Sequence, residues 1–173
     1  MNDREQRSTM NTVLWTMQVL FGVFWSLTGF GKVMWYKPVL WNQALHEVPW
    51  LSAVPQQLII VIGVCEFLGG VGLILPAMTG VKPKLTPFAA FGLTLVMILA
   101  AVFHIARGEY GFLVTTLVLG GVTAFIGYGR LFVRPIAPAS ISTFRVLEGL
   151  AVLGALVFVS FAPVWYRLTH IHS

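Results

Sequence analysis

Charged residues are scarce in this chain. They make up 10% of its 173 residues, against 57% hydrophobic. A soluble domain is about 25% charged and about half apolar. A chain of this size folded in water has no way to hide so much apolar surface, so the composition excludes an ordinary soluble domain and points to lipid as the solvent. There is one cysteine, Cys65, so no internal disulfide can form. No C-x-x-C occurs, which disfavours thiol–disulfide exchange of the quinone-linked oxidase kind. The phosphate-cradling G-x-x-x-x-G-K-[ST] of nucleotide-driven motors is absent, as are H-E-x-x-H and G-x-S-x-G, the marks of metalloprotease and esterase chemistry. Two histidines at facing helix depths, as a haem would need, are not available either. No low-complexity tract or internal repeat is present.

What is present is a series of long neutral runs. Residues 8–31, 85–106, 110–129 and 149–166 contain no Asp, Glu, Lys or Arg, and between Glu47 and Lys82 the one charge is Glu66. About 20 apolar residues at 1.5 Å each cross the ~30 Å hydrocarbon core. The runs predict spans near 12–35, 57–75, 88–106, 113–129 and 146–165. Tyr36, Tyr110, Tyr128 and Tyr166, with Trp15, Trp35 and Trp165, fall at the span ends, where headgroups favour amphipathic rings. Trp25, inside the first span, is expected to pack or to face lipid. The fold class is therefore all-α: an antiparallel four-helix transmembrane bundle plus a fifth, C-terminal transmembrane helix. The expected divisions are a cytoplasmic tail at 1–10, the four-helix membrane part at 11–129, a basic cytoplasmic connection at 130–145, the fifth helix at 146–166 and an external tail at 167–173. The greasy loop 37–56, with Pro38, Pro49, Pro55, Trp41 and Trp50, is expected on the outer membrane surface with a short helix around 39–47.

The net charge of +5 is better explained by topology than by nucleic acid, and no nucleic-acid partner is expected. With the N-terminus inside, Arg4, Arg7, Lys82, Lys84, Arg130, Arg134 and Arg145 are cytoplasmic, and Lys32, Lys37, Arg107 and Arg167 are not. Seven against four favours N-in and C-out. The basic start and apolar run lack a nearby small-x-small cleavage site and read as a retained first span.

Polar residues inside apolar spans carry the functional information. Glu66 lies nine residues into the second span, about 13 Å below the outer surface. An ionised side chain there costs on the order of 3 kcal/mol, so it should face the bundle and be paired or protonated. It reads either as a substrate or proton site or as a hydrogen-bonded packing carboxyl. Gly63, Glu66 and Gly70 share one face, and Gly22, Ser26 and Gly29 make a small face on the first span, so close helix approach is expected at both. His104, near the outer end of the third span, reads as a partner of Glu66, a proton relay or a metal ligand, or as an interfacial histidine bonded to backbone or headgroup. Lys32 ends the first span on the same side and either snorkels or turns toward Glu66. Arg107 and Glu109 form a possible solvated rim pair. Antiparallel order places these groups in the outer half, above Glu66, which suggests a single polar site. Glu148 suits the first turn of a helix, Cys65 reads as a buried small hydrophobe, and the H-x-H tail of His170 and His172 has too few ligands to hold a metal. No metal site and no catalytic residue is assigned.

Gly29-Phe30-Gly31-Lys32, then Gly63-Val64-Cys65-Glu66-Phe67-Leu68-Gly69-Gly70-Val71-Gly72-Leu73, then Ala100-Ala101-Val102-Phe103-His104 followed by Arg107-Gly108-Glu109, together resemble the DoxX and DoxX-like family of small membrane proteins. The resemblance covers about residues 12–129. It implies a four-helix bundle of the bacterial inner membrane with recurrent polar positions at Glu66 and His104 and with Lys32 matching a first-helix lysine. It also implies roles in membrane redox complexes, a thiosulfate:quinone oxidoreductase among them, in cofactor maturation, or in cargo and chaperone work. The fifth span departs from the four-helix form.

Three functions follow as expectations. The leading one is an accessory subunit of a membrane redox or stress-response complex, with lipid and a protein partner around it and a pocket for a small lipophilic ligand. A carboxyl and an imidazole can bond a quinone carbonyl, which makes quinone the candidate cofactor. The alternatives are a quinone-reducing subunit of a sulfur-compound oxidoreductase and a small proton-coupled transporter.

Overall fold

A computed structural model describes residues 3–139 and 143–169. The described residues are mainly helical, with no strand among them. Helix α1 runs Asp3–Met34, α2 Pro38–Glu47, α3 Gln56–Thr79, α4 Leu85–Ala106, α5 Tyr110–Tyr128 and α6 Thr143–Thr169. A short 3-10 turn, Pro49–Ala53, follows α2, and a π-helical segment, Gly129–Val133, continues α5. Four helices, α1, α3, α4 and α5, are long and apolar enough to cross a membrane. In α6 the apolar stretch Leu147–Val159 is shorter. His170 and His172 lie outside the described residues.

Local chemistry sets the boundaries. Pro38 opens α2, where a missing N–H costs nothing. Gly80 ends α3 in the left-handed conformation, φ +67°, which a residue without Cβ adopts freely. The three-residue turn from α4 to α5 uses Gly108 at φ +69° in the same way. The short connections enforce antiparallel neighbours, and α3 packs on both α1 and α4, α4 on α5, and α6 on α1 and α3.

Lipid supplies no hydrophobic drive between helices, so α1 and α3 associate through close backbone approach. The two small faces read from the sequence meet there. A Cβ on Gly29 would overlap the backbone of Phe67 and Gly63, and one on Gly70 would overlap the backbone of Gly22 and Ser26. On the other side of α3, Gly69 receives Leu93 and Gly72 receives Ala89 of α4. Thr94 and Thr123 hydrogen-bond between α4 and α5 at 3.0 Å. Trp25 is 2% exposed and joins Leu73, Leu93, Met97 and Ile126 in the central core, which selects packing over lipid for that ring. Cys65 is exposed, contrary to its reading as a buried residue. Successive helical residues step by 100°, and here that step carries Cys65 off the face that buries Glu66.

Candidate functional site

Glu66 lies ten residues into α3, about 15 Å from its start, and is 1% exposed. Lys32 reaches it from α1. Its Cβ packs on Gly63, one turn nearer the helix start, and its Nζ donates to Glu66 Oε1 at 2.5 Å. The glycines make this contact possible: a side chain at Gly63 would occupy the space that the lysine stem crosses. The lysine retains 20% side-chain exposure. The second carboxylate oxygen, Oε2, is buried without a hydrogen-bond partner, although such groups are nearly always satisfied. Above the pair, α2 and the 3-10 turn form a cap in which Ala44, Leu51 and Ile59 are buried among Trp35, Trp41, Trp50 and Ile62.

His104 belongs to a second assembly. Its Nδ1 lies 2.7 Å from Glu109 Oε2, and Arg107 Nε donates to Glu109 Oε1 at 2.7 Å. An ionised carboxylate only accepts, so His104 Nδ1 carries the proton. Three rings enclose the imidazole: Phe112 stacks on it at 5.3 Å, and Trp50 and Phe103 meet it edge-on at 5.5 and 5.3 Å. Arg107 also sits 5.4 Å over Phe103. The hydrogen bond with His104 first, and Arg107 with it, hold the Glu109 carboxyl below the usual range despite some desolvation.

The structure does not bring Glu66 and His104 together. Gly69 packs on Leu93 and Gly72 on Ala89, so Glu66 stands level with Val96. His104 is eight residues further along α4, about 12 Å away along the axis. Lys32, not His104, is the partner of Glu66. The expected single polar cluster is thus two: a Lys32–Glu66 pair inside the bundle and a His104–Arg107–Glu109 group at its capped end.

A family model described as the DoxX-like family matches residues 16–126. The chain belongs to the DoxX-like family. The match spans α1 to α5 and contains both polar clusters of this DoxX-like protein, while α6 lies outside it. No curated protein and no solved structure matches the chain. With family and helices taken together, it is a multi-pass membrane protein.

Two functional-looking residues of the DoxX-like bundle escaped the sequence reading. Gln18 is fully buried in α1 and its Nε2 donates to the Leu73 carbonyl at 2.6 Å. Arg130, counted from the sequence only as a cytoplasmic basic residue, is 3% exposed and donates through Nε to Gln18 Oε1 at 2.7 Å. The π-helical segment carries it back toward α1, so the expected connection at 130–145 begins within the helical body. A lone glutamine amid an apolar span was the available signal.

Proposed function

We propose that this DoxX-like protein is an accessory subunit of a redox or stress-response complex in the bacterial inner membrane, with its N-terminus cytoplasmic, and that it holds a lipophilic quinone or quinol at Lys32–Glu66. The observation that carries this reading is the half-satisfied carboxylate: one oxygen of Glu66 is held by Lys32 and the other is buried without a donor. An intramembrane ionisable residue is by default a candidate functional site. A quinone carbonyl accepts from Lys32 Nζ, and a quinol hydroxyl donates to Oε2. The two redox forms of one ring therefore match the two faces of the pair. The cap of α2 and the 3-10 turn packs over the same end.

An accessory role means binding without turnover. The purified chain in nanodiscs, given a short-chain ubiquinone and thiosulfate, is expected to bind the quinone and leave it oxidised. Reduction of quinone by the purified chain alone would assign it the catalytic step instead.

A further inference from the structure

Arg130 is a buried guanidinium whose described partners are all neutral. Nε is bound by Gln18, Nη1 donates to Asn11 Oδ1 at 3.0 Å, and the Trp15 ring covers the group at 4.9 Å. Nη2 is buried with no acceptor. A buried cation without a counter-ion is costly, yet this one is held in place: Gln18 is pinned through its own amide nitrogen to the Leu73 carbonyl, which directs its oxygen to Arg130. Beside it lies an open cavity of about 320 Å³ lined by Gln6, Arg7, Met10, Val133 and Arg134. Arg130 Nη1 also reaches the carbonyl of Arg134 at 3.4 Å, which joins the two features. The cavity wall holds two arginines and no acid, together with two apolar side chains.

We infer that this cavity, at the bundle end opposite the cap, is a phosphate-binding site for an anionic lipid headgroup. Arginine forks match phosphate oxygens, and basic pockets at helix ends favour anionic lipids. The apolar wall of Met10 and Val133 distinguishes a lipid from a free ion, because it has the glycerol and first methylenes to cover. Arg130 supplies the positive field beneath, and exposed Arg7 and half-buried Arg134 supply the donors.

The test uses the full chain in detergent, titrated with phosphatidylglycerol, phosphatidylcholine or inorganic phosphate, and read by native mass spectrometry and thermal midpoint. The expected result is retention of phosphatidylglycerol and a raised midpoint, with affinity lowered about tenfold or more in the Arg7→Gln/Arg134→Gln double variant, since each charge-assisted bond is worth about a factor of ten. That variant leaves buried Arg130 in place, so folding and binding stay separable. Arg130→Lys keeps the charge and is expected to weaken the same titration. Equal retention of phosphatidylcholine, equal binding by the double variant, or stabilisation by inorganic phosphate without phosphatidylglycerol would each overturn the assignment.

Discussion

Lys32 and Glu66 are unequal partners. Glu66 is 1% exposed, whereas the Lys32 side chain retains 20% exposure. Removing the lysine leaves a buried carboxylate with nothing to pair with, and breaking such a pair costs about 3 kcal/mol. Lys32→Met is therefore expected to lower stability by about that much, and adding Glu66→Met to recover most of the loss, as measured by denaturant unfolding in detergent. Glu109 contributes in a different pH window. Its carboxyl is held below the ordinary range by His104 and Arg107, so its contribution is complete above the ordinary carboxylate value, about 4.3. That contribution is lost as pH falls through the lower folded value. Glu109→Gln is expected to flatten the acid limb of a thermal-midpoint profile and to leave the slope near pH 7 unchanged. The roles of these two residues differ in how far they could be read beforehand. A charge amid thirty-odd neutral neighbours announces itself. Its partner depends on where a lysine at a helix end turns, and spacing alone left both directions open.

The α1–α3 contact is decided by helices touching backbone to backbone. A Cβ at Gly29 or Gly63 meets main-chain atoms of the opposing helix, which cannot swing aside as a side chain can. Gly29→Ala and Gly63→Ala are each expected to destabilise by about 1–3 kcal/mol. Gly31 is two residues from Gly29 and has open space at its Cβ position. There alanine is expected to be neutral or to stabilise by up to about 1 kcal/mol, because a helical glycine is entropically unfavourable. Thermal midpoints of the three variants check this contrast. These faces were legible because 3.6-residue spacing alone places Gly22, Ser26 and Gly29 in one row. The burial of Arg130 was not: it depends on Gln18, 112 residues away in the chain, and on a π-helical segment that periodicity does not reveal. The outward turn of Cys65 was not legible either: an inward-facing Glu66 was expected, and it left the direction of its neighbour open.

At the scale of the whole molecule the basic residues sort by end. Arg7, Lys82, Lys84, Arg130 and Arg134 share the end where α1 begins, and Lys32, Lys37 and Arg107 lie toward the other. By the positive-inside rule we propose that the N-terminus is cytoplasmic. We propose that α6, 27 residues long, completes a fifth crossing although its apolar stretch is shorter than the others. A periplasm-active reporter fused at the C-terminus is expected to be active, and one inserted near Lys82 silent. The two polar clusters lie about 12 Å apart along the axis: one pair buried among helices, one ring-enclosed histidine group at the capped end. We propose that only the first holds the ligand. Titration of a short-chain ubiquinone into nanodiscs carrying the wild-type chain, Glu66→Gln, Lys32→Met or His104→Gln, followed by quenching of tryptophan fluorescence, tests this division most directly. Loss of binding in the first two variants with retention in His104→Gln is the predicted result, and undiminished binding by Glu66→Gln contradicts the account.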